Sequence, residues 1–159
     1  MSAPKRIQLS RKKGWRIPEG AVIVDRRSRW GNWYKPVQVG SLYKRQEYVD
    51  ALPDPKAWIV ITLDKYGHRT GSQWGGFADK AEATAFAVDM HARSLRATRL
   101  DLDGLHHHDY YLGELRGRDL ACWCPLEDAA GLRVPCHADV LLELANAPRP
   151  APDGERGTA

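Results

Sequence analysis

The residues best equipped for chemistry lie close together in the last third of the chain. All three cysteines, Cys122, Cys124 and Cys136, fall within 15 residues, and His137 follows the last of them directly. Thiols and an imidazole gathered this way read as a metal site, a reactive thiol or a tightly packed strand-to-helix corner. As ligands, Cys122, Cys124, Cys136 and His137 would fill the four-coordinate shell of a closed structural zinc. The spacing departs from the usual zinc patterns, because one residue separates the first two cysteines and Cys136 adjoins His137. Alternatively, the thiols are small core residues, free cysteine being among the most buried residue types. In the third reading Cys136 opens a helix, where amide donors and the helix dipole lower a thiol's pKa. His137 or Asp139 then supplies an acid or base beside Cys136. Asp139 has a plainer role too, since an acidic side chain in a first helical turn complements the dipole.

A second constellation is Arg26-Arg-Ser-Arg-Trp-Gly-Asn-Trp-Tyr34. Guanidinium forks grip phosphates, and indoles stack on bases for roughly 1–3 kcal/mol each. Arg27, Arg29, Trp30, Gly31 and Asn32 are therefore candidate ligand-binding residues. Gly31 would let the backbone approach a ligand, and Asn32 would read an amide or base edge. The competing reading makes Trp30 and Trp33 core plugs and lets Asn32 close a turn beside Gly31. The fingerprints of dinucleotide folds, P-loops, zincins and α/β-hydrolases are missing.

Elements must place these two groups. Residues 5–11 alternate, with Ile7 and Leu9 on one face, as in a half-buried strand. Ala21–Asp25 is apolar and β-branched, which predicts a buried strand, so the Arg/Trp loop follows a strand end. In open α/β sheets that is where ligands bind. Residues 41–52 are read as one helix stopped by Pro53 and Pro55. Ala57–Leu63 is the strongest strand signal, with Asp64–Gly71 as the turn of a hairpin. Asp79 and Glu82 resemble a capping box for a helix over 80–97, whose inward stripe is Ala83, Phe86, Ala87, Met90 and Ser94. A short helix is expected over 108–116, with Tyr111, Leu112 and Leu115 inward. A strand over 119–124 places Cys122 and Cys124 on one face, at the limit of disulfide reach, with Trp123 packed behind under a helix. The last helix runs over 137–146, and His106–His108 form a solvated loop or lend a further ligand. The expectation is α/β: a single compact domain over 1–146, with a mixed sheet of about four strands and three to four helices. Residues 147–159 are expected to be a disordered tail.

A chain of 159 residues with 43% hydrophobic and 28% charged residues has the composition of a globular protein. No apolar run approaches the ~20 residues of a membrane span, so no membrane partner is expected. An odd number of cysteines and an apolar-poor N-terminal segment predict reduced thiols and a cytoplasmic location. Residues 1–50 hold 12 Lys/Arg against 4 Asp/Glu, whereas the rest holds 12 against 16. That basic first third favours a phosphate-bearing small molecule or a nucleic acid as partner. It equally describes a solvated basic surface.

Two motifs together carry a family resemblance: Ser28-Arg-Trp-Gly-Asn32, and Asp119-Leu-Ala-Cys-Trp-Cys-Pro125 followed by Cys136-His-Ala-Asp-Val-Leu-Leu-Glu-Leu-Ala-Asn146. From about residue 6 to 146 the chain resembles an uncharacterised small-domain family of bacteria and bacteriophages. Against that pattern, Trp33 stands in place of a proline, and Glu127–Arg133 lengthens the stretch between Cys124 and Cys136. The resemblance implies a motif map and a fold, with no reaction attached. Three functions follow from the residues. The favoured one is a nucleotide-, nucleoside- or modified-base-directed enzyme, of hydrolase or glycosidase type, with its pocket between the Arg/Trp loop and the Cys/His helix start. The others are a zinc-stabilised nucleic-acid-binding module without catalysis, and a phage-type accessory domain that binds a protein.

Overall fold

Short β-branched runs build the first sheet. The computed structural model describes residues 3–64, 66–98 and 112–148. Strands β1 (Arg6–Gln8) and β2 (Val22–Ile23) flank β6 (Leu120–Cys122), and both run parallel to it. All three residues of β6 are buried, as the central strand of a parallel sheet should be. Its register pairs Gln8 with Cys122 and Ile23 with Ala121. The carboxyl ends of β2 and β6 therefore lie side by side, and the Arg/Trp loop and the cysteine block both leave from that edge.

The second sheet is antiparallel, in the order β3 (Tyr34–Gln38), β4 (Trp58–Leu63), β5 (Arg69–Phe77). β4 and β5 form the expected hairpin across the turn after Leu63. The protein is thus a mixed α/β fold, with its strands divided between two sheets of three instead of one sheet of about four. The extra strand is β3. Pro36 weakens its sequence signal, yet an edge position tolerates a missing ladder donor.

Helix α2 (Lys80–Thr98) joins the two layers. Glu82 N–H donates to Asp79 Oδ1 at 2.9 Å, and Glu82 Oε2 accepts from Ala78 N–H at 2.6 Å, so the capping signal operates. Ala83 and Ala87 pack on Val60 of β4 with Tyr34, Trp58, Trp74, Phe77 and Phe86 around them. One turn on, the inward position belongs to His91, whereas Ser94 is exposed and shares a hydrogen bond with Tyr34. Helix α3 (His137–Asn146) covers the parallel sheet. Its Ala138, Leu141 and Ala145 join Val24, Leu112, Leu115, Leu120, Cys122 and Cys136 in a separate core.

Two further expectations are corrected. Residues 41–52 do not form one helix: a 3-10 turn (Val39–Leu42) and a short α1 (Gln46–Asp50) are separated by extended backbone at Tyr43 and Arg45. Gly40 is pinned by its N–H to Pro55 O at 2.8 Å, and neither start has a side-chain cap. The cysteine strand ends at Cys122, two residues early. Trp123 consequently does not pack behind the sheet under a helix; it is 41% exposed, and its indole N–H donates to Asp25 Oδ2. The first four residues of the helix expected over 108–116, the three histidines 106–108 and residues 149–159 lie outside the described residues. No helix among the described residues is long and apolar enough to cross a membrane.

Candidate metal centre and adjoining cleft

Cys122, Cys124, Cys136 and His137 converge. One ligand atom from each lies within 4.8 Å of all the others. Cys122 is the last residue of β6, and the chain bends immediately after it, so that Cys124 N–H donates to Cys122 Sγ at 3.4 Å. Cys136 is the N-cap of α3, with extended φ and ψ of −146° and 145°. Its Sγ takes the capping bond from Ala138 N–H at 3.4 Å. The turn from extended to helical backbone swings two adjacent side chains to the same side. Cys136 Sγ and His137 Nδ1 end 3.6 Å apart, so adjacency does not prevent joint ligation.

His137 supplies the decisive detail. Its Nε2 lies 2.5 Å from Val24 O, at the carboxyl end of β2. A carbonyl oxygen only accepts, so Nε2 carries the hydrogen. In the neutral ring Nδ1 then presents its lone pair to the three sulfurs. A histidine that gives its outer N–H to a carbonyl while its other nitrogen faces thiols has the outer-shell arrangement of metal sites. A tetrahedral zinc with bonds of about 2.3 Å to sulfur sets sulfur pairs about 3.8 Å apart. Cys122 and Cys136 Sγ, at 3.1 Å, need to part by about 0.7 Å.

The thiols also share charge as prospective ligands do. Hydrogen bonds from Cys122, Cys136 and then His137 hold Cys124 far below the usual thiol range. Bonding to Cys124 pushes Cys122 up to about 11, and bonding to Cys122 and Cys124 pushes Cys136 higher still. Three thiols this close do not ionise together unless a cation neutralises them.

Holding the corner in shape is Arg6, whose side chain is 1% exposed. It pairs with Asp139 Oδ2 at 2.7 Å and donates to Val134, Pro125 and Leu126 carbonyls at 2.9, 3.2 and 3.0 Å. Both ends of the Cys124–Cys136 loop are tied to β1 by this one guanidinium. Between them, the lengthened segment closes on itself through a bridge between Glu127 and Arg133, so extra residues do not separate the cysteines. Asp139 spends its other oxygen on Arg133 at 2.5 Å.

Beside the cluster opens a cleft of about 360 Å³, lined by all four prospective ligands together with Asp25, Arg26, Asn32, Trp123 and the Lys80 face of α2. The cysteine block and the start of the Arg/Trp loop thus meet in one cavity. The remaining residues of that loop stand elsewhere. Arg27 is outside the lining and pairs with Asp25 at 2.9 Å. Arg29 pairs with Glu114 and stacks on Trp30, which packs against the α3 core. Gly31 approaches its own chain: a Cβ there would lie 2.6 Å from Arg26 Cα. Asn32 borders the cleft with both ends of its amide engaged, Nδ2 to Ala87 O at 3.0 Å and Oδ1 from Tyr34 N–H at 2.8 Å. Asp139 does not line it.

The family model "Domain of unknown function (DUF4326)" matches residues 7–147. The chain belongs to this family. The match spans both motifs and all four prospective ligands. No curated protein and no solved structure matches the chain.

Sequence reasoning missed Arg6, Arg26, Lys80 and His91. Arg6 sits inside the alternating segment, on the face opposite Ile7, and an arginine there signals solvent unless its partner is known. His91 is 4% exposed and meets the His137 ring edge-on at 5.7 Å. Burial above all lowers its pKa to about 4, so it stands as a neutral packing partner of the ligand ring. Its signal is its place in the helical period, four residues after Ala87.

Proposed function

We propose that the protein is a zinc-stabilised domain whose Cys122/Cys124/Cys136/His137 centre forms one wall of a small-molecule site. The observation that supports it most is His137: its Nε2 hydrogen is committed to Val24 O, which leaves Nδ1 to face three thiols. Four protein ligands make a closed shell, so the zinc is structural. It welds the end of β6 to the start of α3, the two sides of the cleft. Elemental analysis of protein purified in reducing, chelator-free buffer tests this. One zinc per chain, lost together with thermal stability in Cys136→Ser, is the expected result. Metal-free protein that melts identically with and without added zinc sinks the reading.

The nucleotide-, nucleoside- or modified-base-directed enzyme is a second reading, favoured by the cleft that the two motifs share. Its proton-transfer groups are not those named from the sequence. His137 has one nitrogen on a carbonyl and the other on the thiols, Asp139 holds two arginines, and Cys136 is 1% exposed. These groups build the corner, and Asp25, the carboxylate that lines the cleft, is held by Arg27 and Trp123, so proton transfer by it requires a substrate to displace one of them. Release of base or phosphate from a nucleotide panel, lost in Asp25→Asn with zinc retained, is the result this reading needs.

A further inference from the structure

The walls of the cleft say what it is built to hold. Tyr34, Pro36, Val88, Trp123, Pro125 and Pro135 give it flat and apolar sides. Its one carboxylate, Asp25, is spent: Oδ1 accepts from Arg27 N–H, and Oδ2 accepts from the Arg27 guanidinium and the Trp123 indole. The Asn32 amide is engaged at both ends. Two cationic side chains remain. Arg26 donates through Nε to Asn32 O at 3.2 Å, and its two terminal nitrogens have no partner among the described residues. Lys80, in the first turn of α2, makes no ion pair among the described residues.

Charge balance narrows the ligand. Arg26 and Lys80 both line the cleft, and its one carboxylate is already paired with Arg27. The Asp25–Arg27 pair cancels, and Arg26 with Lys80 leaves two cationic groups in excess for a ligand, which a phosphate monoester of roughly −1.5 to −2 at neutral pH matches. A compact anionic head satisfies this excess, whereas a polyanion overshoots it. A volume of about 360 Å³ lies at the lower end of the ~300–1,000 Å³ typical of ligand pockets. We infer that the cleft is a binding site for a nucleoside 5′-monophosphate, its single phosphate held by Arg26 and Lys80 and its base lying against the apolar walls. This deepens the proposed zinc-walled site and rests on it for the shape of the cleft.

Calorimetric titration of zinc-loaded protein with the 5′-monophosphates of adenosine, guanosine, cytidine and uridine, and with the four free nucleosides, tests the inference. At least one monophosphate is expected to bind about a hundredfold more tightly than its nucleoside, roughly tenfold from each of two charge-assisted contacts. Arg26→Gln and Lys80→Gln should each weaken the monophosphate about tenfold while one zinc per chain is retained. Thr84→Trp, which fills the cleft from α2, should abolish binding. If no monophosphate binds zinc-loaded protein, or if the Arg26→Gln/Lys80→Gln double variant binds as the parent does, the inference fails and the zinc reading stands. If protein shown to lack zinc binds a monophosphate in an Arg26-dependent way, the zinc reading fails and the anion site stands.

Discussion

At the scale of single residues, the corner is set by which hydrogen each side chain has to give. Val24 O takes the only hydrogen of His137, and each of two backbone amides is aimed at a sulfur, Cys124 N–H at Cys122 and Ala138 N–H at Cys136. The same geometry predicts a redox outcome. Cys122 and Cys136 Sγ lie 3.1 Å apart, about 1 Å from bonding distance. Metal-free protein treated with diamide should therefore lose two electrons and two protons from this pair, join Cys122 to Cys136 and leave Cys124 as the free thiol. Zinc should suppress the reaction. Peptide mapping reads the result, and a dominant Cys122–Cys124 link would show that the corner is arranged differently. Gly31 gives a second prediction. A methyl group at 2.6 Å from Arg26 Cα and 2.7 Å from Asp25 O forces the tight turn open. Gly31→Ala should cost about 1–3 kcal/mol, seen as a lower urea midpoint at unchanged slope.

At the scale of elements, the Arg6–Asp139 pair links β1 to α3 and carries the loop between Cys124 and Cys136 with it. Removing one partner of a buried pair leaves the other charge uncompensated. Because Asp139 is 29% exposed, the cost is discounted: Arg6→Met should destabilise by roughly 2–3 kcal/mol and weaken zinc retention, since both ends of the loop come free. Asp139→Asn keeps the carbonyl contacts of Arg6 and should cost less. Equal losses for the two variants, in parallel chemical denaturation, would assign the effect to the ion pair alone. The same elements show how far sequence carries. Periodicity revealed β4, α2 and α3, because long apolar stripes and a capping Asp79 report on local backbone. It hid β3, where Pro36 mimics a breaker until an edge position excuses it, and it merged residues 41–52, where Gly40 is held by Pro55 rather than by a helix. The cysteines and His137 were legible from their types. Arg6, Arg26 and Lys80 were not, because what makes them site residues is a partner, or the lack of one, far along the chain.

At the scale of the whole molecule, two cores share one helix. The core under α3 contains Cys122 and Cys136 beside Leu120, Leu115, Leu141 and Val24, whereas the core of Val60, Ala83 and Ala87 contains no ligand. A metal that binds only the folded corner stabilises that half directly and the other half through α2. Chelation should therefore act unevenly. Amide exchange under native conditions should speed up across β6 and α3 on zinc removal, while β4 and the first turns of α2 keep most of their protection. Acid should reproduce the pattern. Thiols must shed protons to bind zinc, so stability due to the metal is present at neutral pH and is lost as falling pH reprotonates Cys122, Cys124 and Cys136. Leu141→Ala offers the comparison without metal chemistry. It opens the same α3 core for about 2–5 kcal/mol and should speed exchange in the same segments at full zinc occupancy. If chelation instead accelerates exchange uniformly through both sheets, α2 couples the halves into one cooperative unit and the zinc corner holds up the entire fold.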